Sequence, residues 1–218
     1  MRLVATRICR PTPSPKDKMG YRDHVLLSTM YASGMRADEA CSVTVGDISF
    51  LNDGTSSLLI HGKGGKARRI RLSEKPSGML KKYLAYRRIS NQHERHIFST
   101  QRNERISVSC IEEIYAKYVE RARAGHPGLF REPVYTPHSM RHTTAVHMLE
   151  AGVPLPVIKQ FLGHSNLSTT EIYAKMSQPT VNERLKDWDK SYWHEQYLDA
   201  SASDSNNDRN SNIPDFLK

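Results

Sequence analysis

HSMRHTTAVHMLEAGVPLPVIKQFLGHSNLSTTEIY, residues 138–173, is the stretch around which the rest of the chain is arranged. His138 and Arg141 stand at i and i+3, so on a helix they share one face. Pro137 just ahead of them suits a first helical turn, and Gly152 followed by Pro154 suits the end of that helix. LGHS at 162–165 reads as a helix stop and turn. STTEIYAK reads as the next short helix, with Ser168 as its N-cap. A basic helix face, an imidazole at His164 on a turn and a phenol at Tyr173 would then surround one point. Phosphodiester chemistry uses that set of groups.

Working outward, the period of the apolar residues changes along the chain. From Asp17, Val25, Leu26, Thr29 and Met30 form one helical stripe that stops at Gly34, and MRADEACSV restarts as a short helix. Alternation then replaces the helical period. Ile48 and Phe50 precede an Asn-Asp-Gly turn, Leu58 and Ile60 follow it, and Ile70 and Leu72 come after a Gly-rich loop. This predicts a small three-stranded antiparallel sheet inside a predominantly helical α+β domain. SGMLKKYLAYRRI and SVSCIEEIYAKYVERARA read as two more helices separated by a short apolar stretch at HIFST. GHPGLFREPVYTP is a loop delivering the chain to His138. After Tyr173, QPTVNERLKDWDKSYWHEQYL reads as amphipathic helix carrying Trp188, Trp193 and Tyr197. The expected organisation is a proline-rich linker over 1–16, a domain over 17–198 and a flexible tail over 199–218.

Composition sets the bounds. The 218 residues suffice for one sizeable core, and 38% hydrophobic with 25% charged residues describes an ordinary soluble protein. No apolar run approaches the roughly 20 residues a membrane span needs. The basic N-terminus lacks a signal-peptide apolar core, so a cytoplasmic protein with no membrane partner is expected. Cys9, Cys41 and Cys110 lie far apart in the sequence and suggest neither a disulfide framework nor a zinc site. Net charge is +9, and residues 199–218 are themselves acidic, which makes the preceding body more basic still. Such an excess fits a polyanionic partner.

Three upstream residues join the organising stretch. Arg36 follows the helix stop at Gly34, with Glu39 three residues on. Lys63 lies in HGKGGK between two strands, where glycines let the backbone approach a ligand closely. Duller readings exist for each. An arginine three residues before a glutamate is most often a surface ion pair, and a tyrosine on a short amphipathic helix is usually core. His138 and His142 have the i, i+4 spacing of a zinc pair, but neither an HExxH motif nor a third ligand accompanies them. GKGGKA lacks the P-loop pattern and sits between strands rather than before a helix.

Taken together, these boxes resemble the catalytic domain of the tyrosine recombinases, the phage-type integrase and Xer-like family of DNA-breaking and rejoining enzymes. SGMRADEA resembles the first-arginine box, with Arg36 at the arginine position and Glu39 at the acidic one. IHGKGGKARRI resembles the strand-loop-strand lysine motif and puts the catalytic lysine at Lys63 rather than Lys66. TPHSMRHTTAVHML resembles the His-x-x-Arg box, giving His138 and Arg141. LGHSNLSTTEIYAK resembles the last box, with His164 at the His/Trp position and Tyr173 as nucleophile. The match spans about residues 17–185. Family members usually carry a separate helical domain ahead of the catalytic one, and residues 1–16 are expected to be a linker remnant in that place.

The resemblance implies site-specific recombination or integration of double-stranded DNA. Tyr173 would attack a backbone phosphorus, leaving a 3′-phosphotyrosyl bond and a free 5′-hydroxyl. One ester replaces another, so no cofactor, metal or ATP is implied. Arg36 and Arg141 would bind the non-bridging oxygens, and Lys63 would protonate the leaving oxygen. His138 would be the acid-base partner of the tyrosine, His164 a phosphate hydrogen-bond donor, and Glu39 an orienting carboxylate. The family also implies a homo-oligomer, four protomers on two DNA sites, in which a C-terminal segment beyond the tyrosine docks on a neighbour. The apolar end of this tail, Ile213, Phe216 and Leu217, would reach a neighbouring protomer, fold back on its own domain or stay free. A type IB topoisomerase, or a DNA-binding remnant of a mobile-element integrase, is the alternative.

Overall fold

The computed structural model describes residues 18–130 and 134–163. The expectations for the linker over 1–16, the Ser168 cap, the aromatic-rich helix and the tail fall outside these residues. Helix α1, Lys18–Ser33, is the hub, packing against three later helices and the sheet. Its expected stripe of Val25, Leu26, Thr29 and Met30 is buried throughout. The hydroxyls on that inner face are satisfied locally, Thr29 Oγ1 donating to Val25 O at 2.7 Å and Ser33 Oγ to Thr29 O at 2.7 Å. Asp23 is buried as well, and Arg22 and Lys117 donate to its carboxylate at 2.6 and 3.0 Å.

The helix ends at Gly34, whose φ of +59° lies in the left-handed region. A Cβ there would stand 2.5 Å from Leu162 Cδ2. Both backbone conformation and close approach therefore call for glycine. Helix α2, Ala37–Ser42, follows with Arg36 at its N-cap position.

Strands β1, Ile48–Phe50, β2, Ser56–His61, and β3, Ala67–Leu72, form one antiparallel sheet in that order. Leu58 is the register centre, opposite Ile48 on one side and Ile70 on the other. Leu58, Ile60, Ile70 and Leu72 point inward and are buried, whereas Phe50 at the sheet edge is 37% exposed. Alternation thus assigned the inner face correctly for the two longer strands.

Helix α3, Glu74–Tyr86, begins three residues before the SGMLKK stretch read from sequence. Pro76 falls in its first turn, where the missing N–H has no intrahelical acceptor to lose. Between α3 and helix α4, Val108–Gly125, the HIFST stretch packs inward as Ile97 and Phe98. It is tied back by Ile97 N donating to Val43 O at 3.1 Å. Ser107 caps α4, its Oγ accepting from Cys110 N at 3.2 Å. Helix α5, Pro137–Glu150, opens on proline as expected, and helix α6, Leu155–Leu162, stops at Gly163 with φ +66°. No helix among the described residues is long and apolar enough to cross a membrane.

Candidate active site

The site is built on one buried carboxylate. Glu39 lies in the first turn of α2, and its side chain is 1% exposed. Its Oε2 accepts from the Arg36 backbone N at 2.7 Å, and its Oε1 from the Arg36 guanidinium at 3.0 Å. Arg68 of β3 adds a parallel fork, donating through both terminal nitrogens to Oε1 and Oε2 at 2.8 Å each. Burial by itself would raise the Glu39 carboxyl. The hydrogen bonds from Arg68 and the Arg36 backbone, with the charges of Arg68 and Arg141, bring it below its ordinary value instead.

Arg141, one turn into α5, is 2% exposed and reaches across the molecule rather than out of it. Its guanidinium donates to Gly34 O at the end of α1 and to Leu162 O at the end of α6. These carbonyls belong to helix ends and carry partial negative charge, which suits a cation. Burial first, and the neighbouring Arg36 charge second, push the Arg141 pKa down to about 9 against the pull of Glu39. It remains a cation at neutral pH. Arg36 and Arg68 thus share the Glu39 carboxylate, while Arg141 feels its charge and that of Asp38. Three guanidinium groups against two carboxylates leave a positive surplus that an arriving anion would relieve.

The lysine loop abuts this cluster. Gly62 lies where an added Cβ would be 3.7 Å from Glu39 Oε1 and 3.0 Å from Lys66 O. Its N–H closes the loop onto Lys66 O at 2.7 Å. Gly64 and Gly65 follow with φ of +76° and +73°, so the backbone of Lys63–Gly65 makes a tight turn beside the arginines. Between this hairpin and α6 runs a groove of about 1160 Å³, walled by Arg36, Lys66, Arg68, Arg69, Gln160 and Phe161. Its basic lining suits a phosphate backbone.

The residues expected from sequence stand as follows. Arg36, Glu39 and Arg141 come together, and the Lys63 loop lies against them. His138 is exposed in the first turn of α5, one turn before Arg141, as the i, i+3 spacing required. His164 and Tyr173 fall outside the described residues, which end at Gly163. Arg68 is the addition. Strand alternation could have found it, since residues 68, 70 and 72 share one face of β3, and Ile70 and Leu72 are core. An arginine in phase with core residues needs a buried partner.

A model of the phage integrase family matches residues 6–179. Tyrosine recombinase XerC of Bacillus subtilis (strain 168) is 35% identical over 167 residues, which cover 73% of this chain and 51% of that relative. Tyrosine recombinase XerA of Pyrococcus horikoshii is 31% identical over 166 residues, 76% of this chain and 54% of the relative. The chain spans about half the length of these curated relatives. Among solved structures, the crystal structure of XerA recombinase matches with a TM-score of 0.67 at 24% identity, covering 86% of this chain and 63% of that one. The XerH site-specific recombinase bound to difH substrate in a pre-cleavage complex gives 0.64 at 23%, covering 86% and 52%. These likenesses speak for the fold, a helical catalytic domain of the integrase type with a small antiparallel sheet. The family model covers most of the chain and all four sequence boxes, and the chain belongs to the phage integrase family.

Proposed function

We propose that this chain cuts and rejoins double-stranded DNA at specific sites, through a covalent bond between Tyr173 and a DNA 3′-phosphate. The observation that carries this reading is the arginine cluster. Two arginines from separate sequence boxes, Arg36 and Arg141, meet around buried Glu39, with surplus positive charge and the Lys63 loop alongside. A relative named as a tyrosine recombinase at 35% identity, and neighbours of the same fold crystallised on DNA substrate, support the same assignment.

In the proposed reaction the Tyr173 oxygen attacks the phosphorus, and the 5′ oxygen departs. The phenol, with an ordinary pKa near 10, gives up its proton as the bond forms, with His138 as acceptor. Negative charge building on the non-bridging oxygens meets the planar forks of Arg36 and Arg141. Lys63 supplies the proton to the departing 5′ oxygen, which as an alkoxide would leave poorly. His164 donates to a phosphate oxygen. The same groups in reverse roles reseal the strand when a 5′-hydroxyl attacks the phosphotyrosyl bond. Four protomers joining two duplexes would let strands exchange partners.

A nicked duplex that loses its short downstream piece on cleavage traps the covalent intermediate. A site recovered from a randomised duplex pool by retention on the protein provides the sequence. The wild type is expected to give an adduct that denaturing gels resolve, and Tyr173→Phe to retain the duplex without one. An adduct in Tyr173→Phe would move the nucleophile elsewhere, and cleavage indifferent to sequence would replace recombination with topoisomerase-like relaxation.

A further inference from the structure

We infer that Arg68 is a positioning residue for strand cleavage: it locks Glu39, and through it Arg36, in register with the end of α6 that leads to His164. The inference rests on the cleavage reading above. Three contacts carry it. Both terminal nitrogens of Arg68 donate to Glu39 at 2.8 Å. Its Nε donates to Phe161 O at 3.1 Å, in the last turn of α6. Its stem fills the space over Gly163, where an added Cβ would lie 2.8 Å from Arg68 Cδ.

These contacts close a circuit. β3 reaches α2 through Arg68 and Glu39, and reaches α6 through Arg68 and Phe161. α5 reaches the end of α1 through Arg141 and Gly34, and α6 through Arg141 and Leu162. Arg68 is the member that joins the strand following the Lys63 loop to both other parts. Both side chains line the groove, but all three Arg68 guanidinium nitrogens are engaged, the fork by Glu39 and Nε by Phe161 O, whereas Arg36 donates to Glu39 through one terminal nitrogen and is 35% exposed. That division makes Arg36 a direct phosphate ligand and Arg68 its support.

Support of this kind has a signature that bulk destabilisation lacks. The charged groups facing the Glu39 carboxylate are Arg36 on its own segment, Arg68 on β3 and Arg141 on α5, and Asp38 acts on Arg141. Without Arg68, the carboxylate keeps its burial and loses two of its four donors, so it takes up a proton nearer neutral pH. A protonated Glu39 no longer holds the Arg36 guanidinium as an ion pair.

The test uses the full chain with Arg68→Gln and Arg68→Lys, ¹³C-labelled at glutamate side-chain carboxyls, with Glu39 assigned through Glu39→Gln. In Arg68→Gln the Glu39 titration is expected at higher pH than in wild type, with Arg68→Lys between. Covalent trapping on the selected nicked duplex should fall with the same midpoint as pH drops, reaching on the order of 10²-fold below wild type. Duplex retention should stay within a few-fold. An equal loss of retention and trapping with an unmoved Glu39 titration would overturn the inference and make Arg68 a phosphate ligand. A lowered melting temperature with neither pH profile changed would also overturn it, as structural only. A wild type that forms no adduct while Glu39 shifts as expected would refute the cleavage reading and leave the Arg68–Glu39 linkage standing.

Discussion

Replacing Glu39 by glutamine tests the central claim that one carboxylate holds the site together. Glutamine keeps the shape but presents an amide NH2 where a carboxylate oxygen accepted two donors. Each oxygen of Glu39 receives one bond from Arg36 and one from Arg68, at 2.7–3.0 Å. The side chains of Glu39 and Arg68 are 1% and 12% exposed, so the Arg68 charge is left buried without compensation. Breaking such a pair costs about 3–5 kcal/mol. The Arg36 side chain is 35% exposed, and its share adds at most ~1 kcal/mol. Urea unfolding at pH 7 should therefore show Glu39→Gln less stable than wild type by about 3–5 kcal/mol, a large part of a typical margin.

The pH dependence has a definite sign. Glu39 titrates below its ordinary value in the folded state. Its stabilisation is thus fully present above the unfolded glutamate pKa of about 4.3 and is lost as pH falls through the lower folded value. The gap between wild type and mutant should stay level from pH 8 to about 5 and close at more acid pH. A gap under ~1 kcal/mol at pH 7, or one that widens toward acid, would refute the reasoning.

Arg141→Lys keeps a charge but cannot span Gly34 O and Leu162 O with a planar fork, and trapping should fall on the order of 10²-fold or more. Cleavage within a few-fold of wild type would remove Arg141 from transition-state binding. Lys63→Ala should recover on a substrate whose scissile 5′ oxygen is replaced by sulfur, because a thiolate leaves without protonation. Equal defects on both substrates would assign Lys63 to positioning and turn attention to Lys66 on the same loop. Gly34→Ala forces a side chain into a left-handed backbone and onto Leu162, with a loss of about 1–3 kcal/mol in thermal unfolding expected. An unchanged melting temperature would mean that α6 stands off from the end of α1.

Short-range pattern determined a good deal of this protein. The stripe on α1, the alternation of Leu58 with Ile60 and of Ile70 with Leu72, and the breaks at Gly34 and Gly163 follow from periods of 3.6 and 2 and from glycine's freedom at positive φ. The Arg36–Glu39 and His138–Arg141 pairs were legible for the same reason, since three residues make nearly one helical turn. The outcome for Arg36 and Glu39 was not. Their spacing is also that of a surface ion pair, and only the packing of α2 against α4 and the sheet, with Arg68 reaching in from β3, makes the carboxylate a buried hub. Alternation could place Arg68 on the inner face of β3, yet it carries no information on which group waits there. Arg141 likewise meets Gly34 O across 107 residues of chain. Such encounters depend on how helices and sheet pack around one core, and that is a property of the whole set of contacts rather than of any window of sequence.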